Sequence, residues 1–153
     1  MVYIIAEAGV DHEGSYERAT YLIHAAAEAN ADCIKFQYYK QGFSGAHREL
    51  PWLLPRDMHR LEIEAQYVGI DFLLTPHDEW ALQYVISDTE IDTIKIGSGD
   101  WHLLDAAIDS CHEIIVSTGG HSWRAVMALE GRVGAILFNG LQVSMSPREP
   151  LSR

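Results

Sequence analysis

Thr93-Ile94-Lys95-Ile96-Gly97-Ser98 passes from an apolar run to a lysine, a glycine and a hydroxyl within a few residues. The same change recurs elsewhere in the chain. Tyr3-Ile4-Ile5-Ala6 runs into Glu7, and Asp32-Cys33-Ile34 runs into Lys35-Phe36-Gln37. Phe72-Leu73-Leu74 ends at Thr75-Pro76, and Ile114-Ile115-Val116 at Ser117-Thr118-Gly119. Short apolar runs rich in Ile and Val have the composition of buried strands. The intervals between them are long enough for a helix. Parallel strands that alternate with helices bring all their C-termini to one face, where such folds build their sites. The polar clusters are therefore expected to converge on one pocket holding two lysines, a glutamate and several hydroxyls.

Working outward, strands are expected at about 2–8, 32–38, 70–75, 92–97 and 113–117, with Ala135-Ile136-Leu137-Phe138 as a sixth. The first helix follows Gly14, with Ser15 as N-cap and Asn30 as its stop. The second opens at Pro55, which suits a first helical position, and Gly69 closes it. Further helices are expected at about 78–87, 102–109 and 122–130. Gln41 to Leu54 has no clean period and holds Gly42, Gly45 and Pro51, the mark of a long loop or lid. The pattern is (βα)₅β over residues 1–139, followed by an aperiodic tail at 140–153.

The fold class is thus α/β, a TIM-barrel-like (β/α) repeat truncated to about six strands. A closed eight-stranded barrel needs roughly 200 residues or more, and this chain has 153. Either the barrel is incomplete, or the sheet is open. Bare edges beside the first and last strands would invite aggregation, so a homodimer or higher assembly is expected.

Composition sets the broad class. Apolar content of 48% and charged content of 22% fit one soluble domain with a real core. The net charge of −11 opposes a nucleic-acid footprint, which needs a basic stripe. It also makes Lys35 and Lys95 conspicuous, since both sit in apolar strands where an unpaired ammonium is costly. Cys33 and Cys111 give no disulfide framework, and Cys33 reads as a small core residue. A strand beginning at Val2 or Tyr3 leaves no room for a signal peptide. No run approaches about 18 apolar residues. These readings predict a cytoplasmic protein with no membrane and no nucleic-acid partner.

The clusters also carry a family resemblance. Ile4-Ile5-Ala6-Glu7-Ala8-Gly9-Val10-Asp11-His12-Glu13-Gly14 resembles the "IAEIGxNHNG" opening of the sialic acid synthases (the N-acetylneuraminate synthase, or NeuB-like, family). Lys35-Phe36-Gln37 resembles their "KFQ", and Leu74-Thr75-Pro76-His77-Asp78 their "STPFD". Lys95-Ile96-Gly97-Ser98-Gly99-Asp100 is similar to "KIxSGD", and Ser117-Thr118-Gly119 to "STGM". The resemblance implies a (β/α)₈ barrel that condenses phosphoenolpyruvate with N-acetylmannosamine. It implies that Lys35, Thr75, Lys95, Ser98 and Ser117 hold phosphoenolpyruvate, with Gln37 as an added neutral donor. Glu7 would be the general base. The catalytic set is then Glu7, Lys35 and Lys95. The physics is consistent, because ammonium groups and hydroxyls form charge-assisted bonds to a compact polyanion.

The family also implies a divalent metal, Mn or Mg, held by a histidine that ends strand 6 and another on strand 7. Here the strand-6 place reads Leu137-Phe138-Asn139-Gly140, so no metal ligand is assigned. His12, His77, His102 and His121 fall on the expected active face, but none forms a helical i, i+4 ligand pair. Polar loop roles, with His12 as a capping or hydrogen-bonding group, are the plainer reading for them. Glu7 paired to a strand-end lysine could likewise be purely structural. Tyr38-Tyr39 are placed at the pocket mouth or simply in a strand, and the tryptophans in packing or interfaces. Two other functions stay open. One is an anion-binding pseudoenzyme or half-barrel that needs a second chain. The other, weaker, is a Schiff-base aldolase using Lys95.

Overall fold

The computed structural model describes residues 2–43, 51–110, 112–130 and 137–138. Six parallel strands lie in the order β1-β2-β3-β4-β5-β6. They are β1 (Ile5–Gly9), β2 (Cys33–Tyr38), β3 (Asp71–Pro76), β4 (Thr93–Ile96), β5 (Glu113–Ser117) and β6 (Leu137–Phe138). Helices fill the connections: α1 (Tyr16–Glu28), α2 (Pro55–Val68), α3 (Glu79–Asp88), α4 (Leu104–Asp109) and α5 (Trp123–Glu130). Sequential strands pair with their chain neighbours throughout, and among the described residues β1 does not pair with β6. The sheet is that of an incomplete barrel.

The helix ends follow their sequence signals. Ser15 caps α1, its side chain accepting from Arg18 N. Asn30 then takes the left-handed conformation at φ 59°, as the short amide of asparagine allows. α2 starts at Pro55 and ends at Gly69, whose φ of 82° suits a residue without Cβ. The fourth helical segment begins as a 3₁₀ turn over Trp101–Leu103 before α4. The expected first strand is shorter than 2–8: Val2, Tyr3 and Ile4 precede β1 and are exposed. Ile4 is instead held by Asp32, whose carboxylate accepts from its N–H. Residues 44–50 of the expected lid, Cys111, Ala135-Ile136 and the tail at 140–153 lie outside the described residues.

Strand register separates two faces. Glu7 pairs with Lys35 and Lys35 with Leu73, Gln37 with Thr75, Leu74 with Ile94, and Lys95 with Ile115. Because side chains alternate, Glu7, Lys35, Gln37, Thr75, Lys95 and Ser117 share one face. Ile34, Phe36, Leu74, Ile94, Ile96 and Val116 share the other, and all of them are buried. That second face packs against the helices together with Ile23, Met58, Leu61, Ala81 and Val85. It forms the dry core.

The first face would line the lumen of a closed barrel. Here it is only partly covered: Ile5, Thr93 and Ile115 are half-buried, and Asp71 and Glu113 are exposed. A cavity of about 990 Å³ opens along it at the N-terminal ends of the strands, lined in part by Ile5, Cys33, Leu73, Thr93 and Ile115. Cys33 is buried, as a small core residue should be, and its thiol pKa is pushed up to about 12, chiefly by that burial. Beside this cavity the buried Glu62 accepts from Glu90 N at 3.0 Å and so fixes the turn into β4. Among the described residues, no helix is long and apolar enough to cross a membrane.

Candidate functional site

The strand C-termini bring three of the expected residues into contact. Lys35, on β2, is buried, yet its Nζ lies 2.6 Å from Glu7 Oε2 on β1. The same nitrogen donates to Thr75 Oγ1 on β3 at 3.1 Å. Thr75 is buried as well, whereas the Glu7 side chain is 62% exposed. The lysine is therefore held from both flanking strands, with one partner open to water.

Lys95 joins this group through its electrostatics. Its pKa is lowered first by burial and next by the Lys35 ammonium, while Glu7 and Asp100 act in the opposite sense. Strand register puts both lysines on one sheet face, two strands apart, in a chain of strongly negative net charge. An anion placed between them would relieve their repulsion. Gln37 stands in register beside Thr75 on the same face.

Ser98 and Ser117 are tied together by a brace that sequence reading missed. Trp101 and His121 stack with ring centroids 3.4 Å apart and planes 2° apart. Trp101 Nε1 donates to Ser117 O at 2.9 Å, and His121 Nε2 lies 2.7 Å from Ser98 O. The loops after β4 and β5 are thereby locked to each other. Ser98 Oγ lies close to Gly119, 3.6 Å from where a Cβ would sit.

His12 has the hydrogen-bonding role expected of it. It is buried, and its Nδ1 accepts from Gly14 N at 3.0 Å. Burial lowers its pKa to about 4, so it is neutral near pH 7. Tyr38 does not reach the pocket mouth. It points to the helix side, with ring centroids 5.4 Å from Trp80 and 5.0 Å from Tyr84. Tyr39 does reach the rim, where it lies beside Phe43 and His77. The cavity described above sits at the opposite end of the strands, and none of Glu7, Lys35 or Lys95 lines it.

A second polar pair was not anticipated: His77 Nδ1 lies 2.8 Å from Asp100 Oδ2, across 23 residues of chain. Both residues stood inside the quoted motifs, but linear spacing gave no sign that they meet. For the implied metal, the described residues offer no group of three His, Cys, Asp or Glu side chains. At the register position beside Ser117, Phe138 has no donor atom to offer.

A family model described as the NeuB family matches residues 44–129. The chain belongs to that family. Among the relatives of this NeuB-family chain is the N-acetylneuraminate-9-phosphate synthase of Drosophila melanogaster, 28% identical over 148 residues, covering 82% of this chain and 40% of the relative. The N,N'-diacetyllegionaminic acid synthase of Legionella pneumophila is 33% identical over 119 residues, covering 64% of this chain and 33% of that one. The chain thus spans well under half the length of these curated relatives. The crystal structure of N-acetylneuraminic acid (sialic acid) synthetase from Leptospira borgpetersenii superposes with a TM-score of 0.75 at 29% identity, over 87% of this chain and 50% of that one. A truncated 3-deoxy-D-arabino-heptulosonate 7-phosphate synthase from Thermotoga maritima, at 17% identity and TM-score 0.62, shares the fold.

Proposed function

We propose that this chain carries the phosphoenolpyruvate site of a sialic acid synthase-like transferase. That enzyme condenses phosphoenolpyruvate with N-acetylmannosamine or a related aldose and releases phosphate. The observation that carries the reading is the buried Lys35, bound to Glu7 and Thr75 and sharing its sheet face with Lys95. The two ammonium groups hold the phosphate and carboxylate, and Thr75, Ser98, Ser117 and Gln37 add hydrogen bonds. The methylene carbon of phosphoenolpyruvate attacks the aldehyde carbon, forming the new C–C bond. Water then adds to the cationic C2, the C2–O bond breaks, and phosphate leaves. Glu7 is the candidate base for that water or for a sugar hydroxyl, and its exposure lets it reach either.

The test is phosphate release from phosphoenolpyruvate plus N-acetylmannosamine, run with and without Mn²⁺, for the native chain and Lys95→Ala. Release by the native chain that drops at least tenfold in the variant supports the reading. Two traces on the no-enzyme baseline, with no phosphoenolpyruvate binding by calorimetry, refute it.

A second reading is favoured by the partly open lumen face and by the length of the relatives. In it the chain binds phosphoenolpyruvate but turns over only when further chain, a homo-oligomeric copy or another polypeptide, covers that face. Its signature is a thermal shift with phosphoenolpyruvate, a native mass above one protomer and no product. Product from a chain shown to be monomeric excludes it. The depressed pKa of Lys95 would also suit an imine-forming amine; a mass gain after borohydride trapping with pyruvate would favour that chemistry.

A further inference from the structure

The rim holds one polar pair to which the phosphoenolpyruvate site gives no task. His77 follows Pro76 at the end of β3, and Asp100 ends the turn after β4. With a carboxylate accepting at 2.8 Å, Nδ1 carries a hydrogen, and in the tautomer with its single hydrogen there Nε2 offers a lone pair. That Nε2 is buried and, among the described residues, has no hydrogen-bond partner. A buried polar atom left unpaired is costly and calls for an explanation.

The surroundings are shaped around the pair. A Cβ on Gly97 would overlap Asp100 Oδ2 and come within 3.8 Å of His77 Cε1, so glycine there clears the space for the carboxylate. The His77 backbone N–H donates to Tyr38 O at 3.0 Å, fixing the residue at the strand end. The rings of Tyr39 and Phe43 flank the imidazole, each with its centroid 6.3 Å away. Asp100 follows the end of the strand that carries Lys95, and its charge acts on that lysine. An imidazole that only filled space between Tyr39 and Phe43 would need neither the carboxylate nor the cleared glycine.

We propose that His77 is a specificity-determining residue for the second substrate: its Nε2 accepts a hydrogen bond from a hydroxyl of an aldose, and Asp100 is the positioning residue that holds the ring in the required tautomer. This deepens the phosphoenolpyruvate–aldose reading and rests on it. The ligand class follows from donor–acceptor matching. The ionised phosphate and carboxylate of phosphoenolpyruvate are acceptors and do not satisfy an acceptor nitrogen, whereas a sugar hydroxyl donates to one.

The experiment is a pair of titrations by calorimetry: phosphoenolpyruvate alone, then N-acetylmannosamine into the phosphoenolpyruvate-loaded chain. Native protein, His77→Phe and His77→Gln are compared. Phosphoenolpyruvate affinity should stay within about twofold in both variants. Sugar affinity should fall about 5- to 30-fold in His77→Phe, the worth of one hydrogen bond lost from a desolvated site. His77→Gln, whose carbonyl can accept, should recover part of it and serves as the folded control if the phenylalanine variant aggregates. In ¹⁵N spectra, the Nε2 resonance of His77, assigned by its absence from His77→Gln, should move on sugar addition. In Asp100→Asn the His77 nitrogen shifts should change from one tautomer toward a mixture. Equal sugar affinity in native and variant chains, an unmoved Nε2 resonance, or no sugar binding to the loaded native chain each overturns the proposal. Failure of the native chain to bind phosphoenolpyruvate at all is read in the first titration, and it removes the underlying function together with this inference.

Discussion

Replacing Lys35 by methionine separates a ligand-binding lysine from a merely structural one. The ammonium is buried, which costs several kcal/mol of desolvation per ion. What offsets that cost is a hydrogen bond donated to Thr75 Oγ1 and an ion pair to Glu7. Such charged contacts return about 1.5–3 kcal/mol each when shielded, and the Glu7 contribution must be discounted for the water around that carboxylate. Methionine keeps most of the apolar stem. Glu7, already exposed, remains solvated after losing its partner, and Thr75 loses one hydrogen bond. The gains and losses nearly cancel, so Lys35→Met should change stability by no more than about 1 kcal/mol in either direction. For a domain of this size that is a shift of about 2–4 °C in Tm. Affinity for phosphoenolpyruvate or inorganic phosphate should fall far more, by about 10- to 150-fold for one lost charge-assisted contact. Urea unfolding followed by circular dichroism gives the first quantity and calorimetry the second. A stability loss of about 3–5 kcal/mol, the cost of breaking a tightly buried pair, together with unchanged anion affinity would show that Lys35 only holds strands together.

Lys95 predicts a proton linkage. Its folded pKa lies below its ordinary 10.5, so between the two values only the unfolded chain holds the proton, and stability rises with pH through that window. An anion favours the charged lysine, so phosphoenolpyruvate binding should take up a proton there and weaken as pH rises. Calorimetric heats in buffers of different ionisation enthalpy measure the uptake, and Lys95→Met should abolish it. His12, with a folded pKa of about 4 against an ordinary 6.5, titrates with the same sign lower on the scale. Stability should be lost as pH falls from about 6.5 to 4, by about 3 kcal/mol at 1.36 kcal/mol per unit. In His12→Asn, where an amide oxygen can still accept from Gly14 N, urea midpoints should vary less over that range. Gly97→Ala should displace the Asp100 carboxylate, costing about 1–3 kcal/mol and altering the His77 ¹⁵N shifts. Trp101→Ala removes a stacked ring and the donor to Ser117 O, and should cost about 1–3 kcal/mol in urea unfolding.

The strand-and-helix alternation was legible because each β-run is a short stretch of Ile, Val, Leu or Phe, bounded by a cap or glycine with a clear local reason. Ser15, Pro55 and Gly69 act where their chemistry says they should. The meeting of Glu7, Lys35 and Thr75 was legible for the same cause. Parallel strands in sequential order force the ends of neighbours together, so a residue's place at the end of its run fixes its place in space. Lys95 followed by that rule, being one more strand along. What the sequence hid lies in loops, where no period constrains direction. The His77–Asp100 pair depends on a turn that folds Asp100 back over Gly97. The Trp101–His121 stack depends on two loops leaving the sheet at matching angles. Of the two roles open to Tyr38 the structure shows the plain strand one: alternation along β2 sets it opposite Lys35 and Gln37, on the helix-facing side.

That alternation carries a consequence for how the chain can change. Along each strand, even and odd positions answer to different demands, packing on one side and ligand chemistry on the other. A single inserted or deleted residue inside β2 would send Lys35 toward Met58 and Leu61 and turn Phe36 toward water, scrambling both layers at once. Changes of length can be absorbed only in the connections between strands, while point changes at lumen positions such as Gln37 or Thr93 leave the helix-facing wall intact. Variation in chemistry on this scaffold therefore has to arrive by substitution at every second strand residue, or by remodelling the loops at the strand ends.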